Sequence, residues 1–152
     1  MSLKLLKKKN YLTMIENAAK GENWMFRNLY TEADGMERDI LENGKLSCAA
    51  FVSSVLYLNR LIKGVHATVD STLRDLFEFG WVETDEMMPG SVLVWEKKDF
   101  GSGEMHGHVG FYVGDNMAIS NGSFNSGIPI KHHYTYKDTR KIDKILWHPE
   151  LD

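Results

Sequence analysis

The chain has 152 residues, of which 43% are hydrophobic and 26% are charged, and this composition is typical of one globular domain. The formal net charge is −3, and lysine and arginine are scattered apart from one N-terminal cluster, so the sequence gives no indication of nucleic acid as a partner. No apolar run approaches the roughly 20 residues of a membrane span. A single cysteine cannot form an intrachain disulfide, so the fold does not depend on an oxidising compartment. We predict one domain over residues 1–152.

The N-terminal region predicts a basic tail over residues 1–10 that leads into an amphipathic helix. Tyr11, Ile15 and Ala18 recur at helical spacing. Glu16 interrupts the apolar stretch too early for a signal peptide. The missing signal does not assign a compartment, because a trimmed or otherwise exported protein is compatible with this sequence.

Three further segments are predicted to be helical before the character of the sequence changes. A short helix is expected near 34–42. The apolar spacing from 48 to 62 predicts a strong helix that ends before Gly64, and a third helix is expected over 69–79, with Gly80 as its stop.

The second half of the chain is rich in β-forming residues with a period of two. It predicts five short strands, at 91–96, 108–114, 117–121, 128–132 and 144–148. The Gly-Asp-Asn stretch at 114–116 suits a tight hairpin turn between two of them. Helices followed by an antiparallel sheet predict an α+β fold in which the N-terminal helices pack on the sheet.

Cys48 is predicted to lie in the first turn of the long helix. A thiolate is the reactive form of cysteine, and the partial positive charge at a helix N-terminus lowers the thiol pKa. Ser47 and Gly44 are available for the approach to the helix and for its cap. The alternative is that Cys48 is a buried core residue, since free cysteines are among the most buried residue types.

His108 is the best candidate partner for such a nucleophile. It begins the predicted strand 108–114, on the face opposite its core-facing valine and phenylalanine residues, and Gly110 leaves room beside it. A third polar group would orient the imidazole. The next strand offers Asn121 and Ser120, which point to opposite faces, and we favour Asn121 because its amide oxygen accepts a hydrogen bond without adding charge.

These motifs resemble a known family. The stretches "LSCAAFVSSVLY", "MMPGSVLVW" and "HGHVGFYVGDNMAISN" are similar to those of the NlpC/P60 group of papain-like cysteine peptidases and the related CHAP amidases. The resemblance covers residues 45–125. It implies a papain-like fold with the nucleophile at a helix N-terminus.

The resemblance also implies a function and a set of site residues. Cys48 would be the nucleophile, His108 the general base, and Ser120 or Asn121 the third residue of a hydrolase that cleaves an amide or peptide bond through a thioester. Peptidoglycan-type peptides are the expected substrates, with no cofactor, no metal and a monomer as the default state. Three residues are expected near the substrate or the oxyanion: Tyr30, Ser47 and Trp95.

Two other readings of the sequence stay open. A papain-like domain can lose activity and persist as a binding module. The histidines also permit a metal site, because alternate residues of one strand share a face. Its candidate ligands are His106, His108, His132, His133 and Cys48.

Overall fold

The three helices expected from apolar spacing are present in a computed structural model, which describes residues 1–99, 101, 103–122 and 127–152. Helix α1 spans Lys7–Ala18, α2 spans Cys48–Leu58 and α3 spans Val69–Phe79. Helix α2 ends four residues earlier than predicted, because Arg60 adopts a left-handed conformation (φ 56°) and the chain turns there. The last residues of the region that resembles the family, 123–125, lie outside the described residues.

The helix predicted near 34–42 is wrong. A hairpin occupies this region, with β1 at Tyr30–Ala33 paired to β2 at Met36–Asp39. Asp34 and Gly35 form its turn with φ values of 52° and 75°. An Asp-Gly pair favours this two-residue turn, since both positions need positive φ, and that local signal outweighs the helical propensity of the flanking residues.

The remaining strands form a six-stranded antiparallel sheet. They are β3 (Val82–Glu83), β4 (Val92–Asp99), β5 (Met105–Gly114), β6 (Met117–Asn121), β7 (Pro129–His133) and β8 (Ile142–Trp147), in the spatial order β3-β8-β4-β5-β6-β7. The protein is therefore α+β, as predicted. The two-residue strand β3 was not predicted.

The sheet is covered by apolar side chains on both faces. On the helical face, Tyr11, Phe51 and Phe111 make successive edge-to-face contacts and are fully buried. A smaller cluster on the opposite face contains Trp95 and Tyr112. In the described ranges, no helix is long and apolar enough to cross a bilayer.

The hairpin between β5 and β6 sets the register of the central strands. Its turn residues Asp115 and Asn116 have φ values of 52° and 61°, as a tight two-residue turn requires. In this register Gly110 of β5 lies opposite Ser120 of β6. Because side chains alternate along a strand, Ser120 is directed to the same face as His108.

Candidate active site

Cys48 is the first residue of α2 and is half-buried. Burial raises the pKa of its thiol above the usual value. Three backbone N–H groups oppose that effect, those of Val109, Ala49 and Cys48 itself. The thiol therefore lies against the backbone of the residue that follows His108.

Ser47 is placed differently from the prediction. It is fully buried, and its hydroxyl donates to the carbonyl of Gly44 at 2.9 Å rather than capping α2. The hydroxyl is thus directed toward the loop that precedes α2. This placement does not support Ser47 as a substrate or oxyanion group.

The chain before Cys48 touches the chain that follows β6. A Cβ added at Gly44 would lie 2.5 Å from Cα of Gly127, and one added at Gly127 would lie 2.8 Å from Cα of Gly44. Both glycines have positive φ, 92° and 77°, a conformation that glycine adopts without strain. This glycine contact holds the loop before Cys48 close to the loop that follows β6.

His108 lies on β5 and is 9% exposed. Its Nε2 atom is 3.0 Å from Oγ of Ser120 and 2.8 Å from Oη of Tyr136. Burial lowers the pKa of His108 to about 3, with further lowering by the positive charge of Arg140 and by His132. The imidazole is therefore neutral at physiological pH.

The residue beside the imidazole is Ser120, and the preference for Asn121 is wrong in this geometry. Asn121 is fully buried, and its amide nitrogen and oxygen have no hydrogen-bond partner among the described residues. Because β6 alternates its side chains, Ser120 faces His108 and Asn121 faces the other side of the sheet.

Two further residues complete the surroundings of Ser120: His132, which the sequence suggested only as a metal ligand, and Tyr136, which it did not indicate. Oγ of Ser120 is 2.6 Å from Nε2 of His132 and 2.9 Å from Oη of Tyr136. The rings of His132 and Tyr136 stack, with centroids 4.1 Å apart and planes at 15°. The alternation that directs His132 of β7 toward Ser120 was available in the sequence, but Tyr136 lies in a turn without periodicity.

Trp95 lies beneath this group rather than at its surface. It is 1% exposed, its indole nitrogen donates to the carbonyl of Tyr134 at 2.7 Å, and its ring centroid is 4.9 Å from that of His108. Trp95 therefore supports the imidazole, and its burial argues against the predicted contact with substrate.

Arg140 is a further residue that the sequence analysis missed. Its guanidinium donates to the backbone carbonyls of Glu96 at 3.0 and 3.1 Å and of His106 at 2.9 Å. Its positive charge lowers the pKa values of both Cys48 and His108. Arg140 thus favours a thiolate at Cys48 and a neutral ring at His108.

Tyr30 is 68% exposed on the β1–β2 hairpin. Its hydroxyl makes no hydrogen bond to the part of the chain that the structure describes, so the geometry gives no support to an oxyanion role. Trp24 instead lines a cavity of about 440 Å³ together with Gly44 and Gly127. That cavity borders the loop that leads to Cys48.

A larger cavity, of about 730 Å³, borders the His108 group. Tyr136 and His132 form part of its wall, and three cationic side chains also line it, those of Lys98, Lys137 and Arg140. Carboxylate side chains are absent from its described lining. The cavity is therefore a mainly apolar space with cationic groups in its lining, two of which, Lys98 and Arg140, donate to backbone carbonyls.

The residues considered as metal ligands are used in other ways. His132 contacts Ser120, and Nδ1 of His133 accepts hydrogen bonds from the backbone and hydroxyl of Thr135 at 3.2 and 2.8 Å. His106 lies 3.8 Å from a carboxylate oxygen of Glu104. In the described ranges, no group of three or more histidine, cysteine, aspartate or glutamate residues is arranged to hold a metal ion.

Comparison with known proteins adds no family assignment. No protein-family model matches the chain, and no curated protein is significantly similar to it in sequence. The fold class and the geometry around Cys48 and His108 are therefore the basis for a functional proposal.

The resting site is a neutral pair. Burial raises the pKa of Cys48 and lowers that of His108, and within the described residues no hydrogen bond joins the thiol to the imidazole. Such a site can perform acyl transfer if the neutral histidine takes the thiol proton during attack on a carbonyl.

Proposed function

We propose that this protein is a papain-like cysteine hydrolase that cleaves an amide or peptide bond. The observation that supports it is the arrangement around α2. The thiol of Cys48 lies at the helix N-terminus against the backbone N–H of Val109, and Nε2 of His108 is 3.0 Å from Oγ of Ser120. In this proposal Cys48 is the nucleophile, His108 is the base and Ser120 is the group that orients the imidazole.

The proposed reaction uses general-base activation rather than a preformed ion pair. As Sγ of Cys48 attacks the carbonyl carbon, Nδ1 of His108 takes the thiol proton. The Cys48 N–H, which has no partner within its own helix, stabilises the oxyanion. His108 then gives the proton to the leaving amine, and a thioester remains. His108 next activates a water molecule, which releases the acid and restores the thiol.

The proposed substrates are peptides that carry a free carboxylate, which includes peptidoglycan-type peptides. The larger cavity supports this choice, because Lys98, Lys137 and Arg140 line it. Tyr136 and Arg140 of this cavity are within electrostatic reach of Cys48.

An inactive binding module is the second candidate. The observation that favours it is the raised thiol pKa together with the lack of a described hydrogen bond between Cys48 and His108. The two candidates differ in one property: an enzyme needs His108 to activate Cys48, whereas a binding module does not.

The test compares alkylation of Cys48 by iodoacetamide in the wild type and in His108→Ala at about pH 7. We expect the wild type to react at least about tenfold faster, in line with the usual contribution of a general base. His106→Ala is the matched control, since His106 is on the same strand and makes no described hydrogen bond through its ring, and its rate should equal the wild-type rate.

The same proteins are then incubated with soluble peptidoglycan fragments, and cleavage is followed by mass spectrometry. We expect hydrolysis by the wild type and His106→Ala, and none by Cys48→Ala. Equal alkylation rates in the wild type and His108→Ala would refute the hydrolase and leave the binding module.

A further inference from the structure

We propose that His132 is a positioning residue that sets the tautomer of His108 through Ser120. It does so by a directed chain of hydrogen bonds that runs from the carbonyl of His133 through His132 and Ser120 to His108. The role in catalysis rests on the proposed hydrolase function, whereas the hydrogen-bond chain itself does not.

The contact between His132 and the carbonyl of His133 determines which atom donates and which accepts in each hydrogen bond of the series. Nδ1 of His132 lies 2.8 Å from the backbone carbonyl of His133. A carbonyl only accepts hydrogen bonds, so Nδ1 must hold the proton. Burial lowers the pKa of His132, which favours a neutral ring with one N–H. Nε2 of His132 is therefore an acceptor.

The donor and acceptor roles of the Ser120 hydroxyl then determine the tautomer of His108. This hydroxyl has a single hydrogen, and Nε2 of His132 at 2.6 Å requires it. Toward Nε2 of His108, at 3.0 Å, the same oxygen can then only accept. Nε2 of His108 must therefore donate, so the proton of the neutral ring lies there and Nδ1 is bare.

Tyr136 fits the same assignment. The Ser120 hydrogen is already used, so at 2.9 Å the tyrosine hydroxyl donates to Ser120. Its oxygen, 2.8 Å from Nε2 of His108, then shares the single Nε2–H with Ser120 in a bifurcated hydrogen bond. Burial raises the pKa of Tyr136 to about 12, so the hydroxyl keeps its proton. One arrangement of hydrogens thus accounts for the contacts among His132, Ser120, Tyr136 and His108.

The consequence is a His108 ring whose Nδ1 can accept a proton. That is the tautomer that the proposed general base requires, because Nε2 is occupied by Ser120 and Tyr136. Without the acceptor at His132, the Ser120 hydrogen is free to turn toward His108, and the opposite tautomer, which cannot take the thiol proton at Nδ1, becomes available.

The test is ¹⁵N–¹H correlation spectroscopy of the histidine rings in the labelled full chain. In the wild type we expect a pyrrole-type Nε2 and a pyridine-type Nδ1 at His108. In His132→Phe, which keeps a ring to stack on Tyr136 but lacks the acceptor, we expect a mixture of tautomers. Tyr136→Phe is the matched control for tautomer, because it removes a hydroxyl from the same group and leaves the chain through His132 intact.

A protonated Nδ1 in the wild type would overturn the inference without any variant, and so would a His108 tautomer unchanged in a folded His132→Phe. If His132→Phe does not fold, Ser120→Ala breaks the chain at its next member and should also give mixed tautomers. Alkylation of Cys48 separates the two proposals. The His108 tautomers could change in the variants as expected while the rate of Cys48 alkylation is the same in the wild type and in His108→Ala. That combination would support the hydrogen-bond chain and reject the hydrolase.

Discussion

Gly110 is the residue on which the contact between His108 and Ser120 depends. A Cβ at this position would lie 2.8 Å from the Ile119 carbonyl oxygen, 2.8 Å from Cβ of Ser120 and 2.9 Å from the Trp95 ring. Two of these neighbours are a backbone atom and the first side-chain atom of a buried residue, neither of which can rotate away. Absence of a side chain at Gly110 therefore lets β6 approach β5 with Ser120 facing the histidine.

We predict that Gly110→Ala lowers the free energy of unfolding by roughly 1–3 kcal/mol, as overpacking of a dense core does. Urea denaturation at pH 7 measures this change. The control is Gly64→Ala, since a Cβ there meets nothing within 4 Å and the φ of Gly64 lies outside the positive range. We expect that variant to equal or exceed the wild type by up to about 1 kcal/mol, and equal stabilities of the two variants would contradict the packing argument.

At the scale of elements, the connection between β7 and β8, residues 134–141, is held to the sheet by side chains of β4 and by its own arginine. Trp95 donates to the carbonyl of Tyr134, Lys98 donates to the carbonyl of Thr139, and Arg140 donates to the carbonyl of Glu96. These bonds hold Tyr136 against His108, although the connection contains no regular secondary structure.

We predict that Arg140→Met loosens this connection and slows alkylation of Cys48. The guanidinium supplies bonds to two carbonyls, and its charge lowers the pKa of Cys48, so its loss raises that pKa. Hydrogen exchange should become faster over 134–141, and the iodoacetamide rate at about pH 8 should fall several-fold. Lys141→Met is the control, because it removes a neighbouring positive charge whose side chain has no described role at the site. An alkylation rate in Arg140→Met equal to that control would reject the electrostatic role.

The elements also show what the sequence can predict. Helix α3 was predicted with its observed bounds because two local signals agree: its apolar residues have a helical period, and Gly80 ends it at a φ of 111°. The structure adds a cap, because Thr68 accepts from the N–H of Ser71. The β1–β2 hairpin was missed because its two strands are four residues long and mostly exposed, so they lack the alternating apolar pattern that marks a half-buried strand, and only the Asp-Gly turn identifies them.

At the scale of the whole molecule, a buried neutral histidine makes stability depend on pH. The pKa of His108 is about 3 when folded, against an ordinary value of 6.5, so the unfolded chain binds a proton more readily. The contribution of neutral His108 is fully present above about pH 6.5 and is lost as pH falls through the folded pKa. The raised pKa of Cys48 acts at the alkaline end, where its contribution is lost as pH rises through the folded value.

We predict that the wild type loses roughly 2 kcal/mol more stability than His108→Gln between about pH 7 and pH 4.5. Only the wild type has the buried imidazole, which the unfolded chain protonates in this range. Urea denaturation at the two pH values measures the difference, with His106→Gln as a histidine-removal control that should follow the wild type. A His108→Gln variant with the wild-type pH dependence would show that the folded-state pKa of His108 is not depressed.

Only part of the candidate site could be foreseen from the sequence. The sequence showed two features as patterns: a single cysteine at the start of a helix, and a histidine on the strand face opposite the core-facing residues. The choice of Ser120 over Asn121 required the strand register, which places Ser120 opposite Gly110. Tyr136 and Arg140 come from an irregular connection, and their positions depend on tertiary contacts that no local pattern encodes.

The contact between Gly44 and Gly127 has a consequence for how this architecture can vary. The two positions are 83 residues apart in sequence, yet each occupies the space that the other's side chain would need. A larger residue at either position would push apart the loop before Cys48 and the loop after β6. Among proteins that share this architecture, these two positions should therefore co-vary: both remain glycine, or both change together with the length of one of the loops.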